Sequence, residues 1–400
     1  MRRLILTLAA ALACAGAAAQ YVPSPENLAA REAFREHRLG IFLHWGIYST
    51  FAQGEWYLQQ KQLDSAAYMA AARGFYPARF DPAAWADAFV AAGAGYVTFT
   101  SRHHDGFSMF GTGQSRFNIV DGTPYGRDVL AMLSAAVKER GMKMHFYYSL
   151  IDWIRQDYPA GYEYPTPKDP SKANYNHYFE FEKAQIRELL AYEPDALWFD
   201  GLWDQKQGFD WRMGELYEFV HSLDPACLIG NNHHHAPLDG EDFQMFEKDL
   251  PGENVSSLPL ETCETMNFAW GYRVDDQYYK PAKDLIHLLV RTVAKDANLL
   301  LNIGPMSSGE LPPPTLERLQ EIGRWMTLHG HTVNGCGATG IPAQPWGVTT
   351  RNATHLYLHI LDPSALPADG ILKVTLGSRS FYRRVPAVLD PIDTIIEIRL

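Results

Sequence analysis

Up to about residue 330 the chain alternates two patterns. Short apolar runs, of the kind that form strands buried on both faces, are separated by longer stretches whose apolar residues return every three or four positions. The runs Gly40–His44, Tyr96–Thr100, Lys143–Tyr148, Leu197–Asp200, Cys227–Gly230, Asp242–Glu247, Leu258–Thr262 and Asn298–Ile303 predict eight strands. The run ending at Thr262 carries the weakest pattern of the eight. Helices are predicted over Asp81–Ala92, Asp128–Arg140, Tyr175–Tyr192, Phe209–Leu223, Pro281–Lys295 and Pro313–Leu328. Asp81 before Pro82 has the form of a cap followed by a proline in the first turn. Eight strands with interleaved helices predict an α/β fold of the (β/α)8-like TIM-barrel kind over residues 20–331. Past residue 332 the pattern turns to period two, and THLYLHIL, ILKVTLG and TIIEIRL predict strands of a C-terminal β domain over 332–400.

A barrel of this kind places its chemistry at the C-terminal ends of its strands. There the chain holds His44-Trp45, the run Ser101 to Asp105 with His103 and His104, Tyr147-Tyr148, Trp198-Phe199-Asp200, Asn231-Asn232-His233 and Glu247. Such a set suits a pyranose, whose apolar face packs on aromatic rings while its hydroxyls bond polar tips. Glycoside hydrolysis also needs two carboxyl groups in different protonation states; Asp200 stands at the mouth of its strand and Glu247 closes DFQMFE two strands later. His103-His104 and the triplet His233 to His235 invite a metal, but adjacent histidines on an extended segment point to opposite sides. With no HExxH or CxxC pattern beside them, neither a metal nor another cofactor is expected.

Composition narrows the class. A net charge of -11 excludes the concentrated basic surface of a nucleic-acid binder. The 13% of aromatic residues agrees with a sugar site, although large cores use aromatics too. Residues 1–19 read as a signal peptide: Arg2 and Arg3, an apolar run from Leu4 to Ala13, then Ala17-Ala18-Ala19 before Gln20. That run is too short to span a bilayer, no later segment supplies a span, and Ala11-Leu12-Ala13 before Cys14 is a poor lipoprotein match. Export to the periplasm or medium is therefore expected. Removal of the leader leaves Cys227, Cys263 and Cys336, an odd number that suits buried thiols better than a disulfide framework.

Over about residues 28–340 the chain resembles glycoside hydrolase family 29, the α-L-fucosidases. The resemblance rests on LGIFLHWGIYST, GEWY, FTSRHHDGFSMF, HFYYSLIDW, PDALWFDGLW, GEDFQMFEKDLP, LPLETCETMNFAWGY and NLLLNIGPMSSGELP, in the family's order. It implies a barrel followed by a small C-terminal β-sandwich, here shorter than the family's usual one, as if strands were missing from its middle. It implies Asp200 as nucleophile and a fucose pocket lined by His44, Glu55, Trp56, His103, His104, Tyr148 and Trp198. In one branch of the family the acid/base is the Glu of a DFxTPE segment, to which DFQMFE aligns without a gap. That selects Glu247, with Glu253 and Glu261 in reserve. Where well-known members carry an arginine near Asn231-Asn232-His233, this chain has three histidines. The implied activity is retaining, exo-acting hydrolysis of terminal α-L-fucosyl groups from an oligosaccharide or glycoconjugate. The competing readings are an exo-hydrolase for α-L-galactosides, a fucose-binding protein without catalysis, and a metal-dependent hydrolase.

Overall fold

The structure, a computed structural model, describes residues 20–252 and 255–400. The leader read over residues 1–19, with Cys14, and the reserve residue Glu253 lie outside the described residues.

All eight expected strands form. β1 Leu39–Leu43, β2 Tyr96–Arg102, β3 Lys143–Ser149, β4 Ala196–Asp200, β5 Leu228–Asn232, β6 Gln244–Glu247, β7 Leu260–Thr265 and β8 Ala297–Ile303 make one parallel sheet. Its order is β5-β4-β3-β2-β1-β8-β7-β6, so the sheet curls into a barrel whose free edges are β5 and β6. The weakly patterned β7 runs three residues beyond Thr262, and Thr265 is still paired to Asn302.

The free edges meet at a seam. The backbone N–H groups of Asp242 and Phe243 donate to Ile229 O at 2.7 and 3.4 Å. In return the Ile229 N–H donates to Asp242 Oδ2 at 2.7 Å. Asp242 is fully buried and also receives Arg31 Nη2 at 2.6 Å, with His221 Nε2 3.0 Å away. Arg31 comes from α1, Pro25–Glu36, which lies under the N-terminal end of the barrel. From the same helix Phe34 packs on Tyr96, His145 and Phe243.

Short helices α2 (Tyr57–Gln60) and α3 (Ser65–Ala70) lie in the loop after β1. The outer layer is α4 Pro82–Ala91, α5 Val129–Glu139, α6 Tyr175–Leu190, α7 Met213–Leu223, α8 Ala282–Val293 and α9 Pro313–His329. Asp81 caps α4 by accepting the Ala84 N–H, as Asp128 caps α5 by accepting that of Ala131. The helix expected from Phe209 starts only at Met213, because Arg212 takes φ 55°, a left-handed conformation that a helix cannot contain. Among the described residues the β5–β6 and β6–β7 links hold no helix.

Inside the barrel, large rings fill the space left by small residues. A Cβ on Gly40 would stand 2.3 Å from the Tyr96 ring, and one on Gly230 2.3 Å from Phe243. The C-terminal strands are β9 Gly337–Ala338, β10 Gly347–Arg351, β11 His355–Ile360, β12 Ile371–Leu376, β13 Arg379–Arg384 and β14 Thr394–Arg399. They form an antiparallel sheet in the order β14-β11-β10-β9 and a separate hairpin, β12–β13. Trp346, Leu356, Leu358, Leu372, Val374 and Phe381 give them a shared core. No helix among the described residues is long and apolar enough to cross a membrane. Cys227, Cys263 and Cys336 are free and buried.

Candidate active site

A cavity of about 320 Å³ opens at the C-terminal ends of the strands. Strand alternation decides what reaches it. On β4, Trp198 and Asp200 point inward, with Phe199 packed outward beside Tyr217 of α7. On β3 the same rule selects Tyr147, whose O–H donates to Asp200 Oδ2 at 2.9 Å.

Asp200 is held by several neighbours. Besides Tyr147, it faces Asn232 Nδ2 at 3.3 Å and Trp203 Nε1 at 3.4 Å through Oδ1, and His104 Nε2 stands 3.5 Å from Oδ2. Burial, reinforced by the negative charge of Glu247, raises its carboxyl to about 7. The Tyr147, Trp203 and Asn232 donors pull in the opposite direction. Glu247 ends β6 on the far side of the seam, and its Oε2 accepts the same Asn232 Nδ2 at 2.8 Å. Two carboxylates that can only accept fix the orientation of that amide, nitrogen towards both. The Glu247 side chain is 29% exposed against 12% for Asp200, so the second carboxyl faces the solvent side of the cavity.

His44, His103 and His104 are held neutral. Burial lowers His44 to about 3 and holds His103 and His104 well below the ordinary imidazole value. Asn302 Nδ2 donates to Trp270 O at 2.8 Å, which turns Asn302 Oδ1 towards His44 Nδ1 at 2.7 Å. His44 must then carry its proton on Nδ1, leaving Nε2 as an acceptor. His103 and His104 both line the cavity, with ring centroids 4.2 Å apart, rather than diverging as on an extended strand. The reason is that β2 stops at Arg102; the Gly106 N–H bonds His103 O at 3.0 Å, and the chain is already turning.

Of the residues expected in the pocket, His44, Trp56, His103, His104, Trp198, Asp200 and Glu247 line it. Two do not. Tyr148 points outward and donates to Gln185 Oε1 on α6 at 2.9 Å, with the Arg102 guanidinium 5.2 Å from its ring centroid. Tyr147 takes the expected place. Glu55 stands behind the wall: its Oε2 accepts the Gly271 N–H at 2.7 Å and so braces the loop that carries Trp270 into the cavity. The reserve Glu261 is buried below the floor. In the histidine triplet, His233 is turned away onto Glu241, 2.9 Å from Oε1, while His234 reaches the cavity at φ 59° with Nε2 3.9 Å from Glu247 Oε2.

The sequence reading passed over Trp203, Tyr164 and Trp270. Trp203 lies against Trp56 at 5.5 Å between centroids, and Tyr164 meets both edge-on at 4.9 and 5.5 Å. The signal for Trp203 was its place three residues after Asp200, on the turn that leaves β4.

The model of the family described as Alpha-L-fucosidase matches residues 8–331. The chain belongs to the α-L-fucosidase family. A solved α-L-fucosidase, isoenzyme 1 from Paenibacillus thiaminolyticus, superposes with a TM-score of 0.82 at 32% identity, over 92% of this chain and 99% of that one. The tissue α-L-fucosidase of Mus musculus is 30% identical over 364 residues, 80% of this chain and 76% of that protein. An α-L-fucosidase of Dictyostelium discoideum is 29% identical over 389 residues, 88% of this chain and 82% of that protein. The α-L-fucosidase match therefore spans the strands that bear the cavity-lining residues described above.

Proposed function

We propose that the chain is a retaining, exo-acting α-L-fucosidase, with Asp200 as nucleophile and Glu247 as general acid/base. The observation that carries this reading is the shared amide. Asn232 Nδ2 lies 3.3 Å from Asp200 Oδ1 and 2.8 Å from Glu247 Oε2. One NH2 group serving both oxygens spaces them at about 5 Å. Retaining enzymes separate their carboxyl groups by about 5–5.5 Å, whereas inverting enzymes leave room for a water.

Asp200 has three donors that favour its anion, and Glu247 has one of them in common. Those donors favour the ionised Asp200 that attack requires, and Glu247, on the solvent side of the cavity, is placed to pass a proton to the departing oxygen and to take one from water. The Asp200 carboxylate attacks the anomeric carbon as the glycosidic C–O bond breaks, and the departing oxygen takes the Glu247 proton. The Glu247 carboxylate then takes a proton from water, whose oxygen attacks the same carbon and frees Asp200 from the ester. Neutral His44, with an accepting Nε2, and neutral His103 and His104 bond the sugar hydroxyls without adding charge. Trp198, Trp270 and Phe42 offer the apolar surface against which a C6 methyl packs. The substrate is a terminal α-L-fucosyl group on a glycan.

Release of nitrophenol from an aryl α-L-fucoside tests the assignment. Wild type is active, Asp200→Ala is inactive, and Glu247→Ala regains turnover when azide is added. An unaffected Glu247→Ala refutes its role, and an inert wild type refutes the function. We also propose that the protein is exported, on the leader-like pattern of residues 1–19. Sequencing the N-terminus of protein recovered from the periplasm or medium returns Gln20 as its first residue if this holds, and Met1 if it does not.

A further inference from the structure

Glu261 is a carboxyl in a place that disfavours carboxyls. It lies on β7 one inward position below Cys263, which lines the cavity, and it is 1% exposed. Its two bonding partners, Tyr96 and Trp198, belong to the apolar filling of the barrel together with Phe42, Tyr147 and Leu300. Among the described residues no lysine, arginine or histidine pairs with it. Isolated acids are costly in such a place, and a hydrocarbon of the same size would pack without that cost.

What the carboxyl does instead is accept two bonds. Oε1 receives Trp198 Nε1 at 2.9 Å, and Oε2 receives the Tyr96 hydroxyl at 2.6 Å. Trp198 forms part of the cavity floor. Its ring lies nearly parallel to that of Tyr147, 5.3 Å away with 28° between planes. Phe42 supports the indole from another side at 5.2 Å. Tyr147 in turn donates to Asp200 at 2.9 Å. An indole has a single polar hydrogen, so one acceptor fixes the rotation of the ring within its plane.

We propose that Glu261 is a positioning residue for the sugar site: it pins the Trp198 indole, and through the Trp198–Tyr147 stack it sets the approach of Tyr147 to Asp200. This rests on the fucosidase reading given above. Glu261 touches neither the sugar nor the reacting atoms; its effect is transmitted through two stacked rings. Burial raises its carboxyl to about 7, which agrees with a group that the fold has not supplied with a countercharge. Whether ionised or protonated it retains an acceptor for the indole, since a protonated carboxyl can turn its hydroxyl to the Tyr96 oxygen. A glutamine has the same capacity, with its oxygen to Trp198 and its nitrogen to Tyr96.

Four variants assayed with an aryl α-L-fucoside beside wild type separate this role from a purely structural one. Glu261→Leu removes the acceptor and keeps the bulk, and kcat/KM falls about ten- to hundredfold, with kcat carrying most of the loss. Glu261→Gln retains kcat and KM within about threefold. Tyr96→Phe breaks the other bond to the same carboxyl, at a comparable cost in Tm, and leaves kcat within about threefold. In a Trp198→Phe background, which has no indole N–H to hold, Glu261→Leu adds less than about threefold. The role is overturned if Glu261→Leu matches wild type, if Tyr96→Phe loses as much kcat as Glu261→Leu, or if the losses multiply in the Trp198→Phe background. Should Glu261→Leu fail to fold, Glu261→Gln decides alone: a tenfold loss of kcat at unchanged Tm overturns the role, and retention supports it. A wild type inert on every aryl fucoside overturns the functional reading, and this role with it; an active wild type with an unaffected Glu261→Leu overturns the role only.

Discussion

Asp200 must act as an anion in surroundings that resist one, and the balance is struck by a few atoms. Burial and the charge of Glu247 raise its carboxyl to about 7, while Tyr147, Trp203 and Asn232 work to lower it. Removing one influence of each kind moves the acid limb of kcat/KM in opposite directions. Tyr147→Phe deletes a donor to the anion, so the limb shifts to higher pH, by about one unit or less. Glu247→Gln deletes a negative neighbour, so the limb shifts to lower pH. An activated aryl fucoside, whose departing group needs little acid, shows both; shifts in the same direction refute the electrostatic account. At this scale the sequence was legible wherever a strand end was unambiguous, as at His44, Asp200 and Glu247. At Tyr147-Tyr148 the strand pattern left both open, because both faces of β3 are buried with no polar alternation, and the resemblance selected Tyr148, the outward one. Glu55 was misplaced for a related reason. Its motif marks the neighbourhood, and only the fold shows that a loop carrying Trp270 stands in front of it.

At the scale of elements, the barrel depends on close fits. Gly230→Ala pushes a methyl into the Phe243 ring, and the expected loss is about 1–3 kcal/mol by urea denaturation. The seam is a second such place. Asp242→Ala strips the acceptor from Arg31 and from the Ile229 N–H. Breaking a buried charged pair costs about 3–5 kcal/mol. Hydrogen exchange at Ile229 then quickens more than at β2 or β3, whose ladders are intact. Equal acceleration across the sheet contradicts the assignment of the seam as a local weak point. The eight strands were readable because each is a compact apolar run. The helix under the barrel was not, since α1 offers little beyond Phe34 and Ala30 to the interior and so has hardly any apolar stripe. The helix-free links on either side of β6 were legible, because no amphipathic stretch separates the fifth, sixth and seventh runs.

For the molecule as a whole, acid stability turns on histidines that folding keeps neutral. His44 is lowered to about 3 and His145 to about 4, both by burial. The unfolded chain takes up protons on these rings below about pH 6.5, before the folded one does. Stability from this source is therefore complete above that value and is lost as pH falls towards 4. Raised carboxyls oppose the trend: Asp200 and Glu261 at about 7 and Asp105 at about 6 bind protons more readily folded than unfolded, and so favour the folded state as pH falls. His145 can be tested apart from the catalytic residues. Its ring lies between Phe34 and Tyr96, and its Nδ1 has no partner. In His145→Phe the Tm gain over wild type widens as pH drops from 6.5 to 4; a gain independent of pH refutes the account.

The ring of strands is cut once, between β5 and β6, and the cut is fastened by the backbone and side chain of Asp242 on Ile229 at one end and by Asn232 on Glu247 at the other. Asn232 belongs to one lip of the cut, beside Asp200 on the next strand in, and Glu247 to the other. A split collar of this kind can change its gauge by flexing at the gap, without tearing any continuous ladder. The dimension that would vary is the one a two-step displacement depends on, the clearance between the atom that attacks the sugar and the atom that gives and takes back a proton.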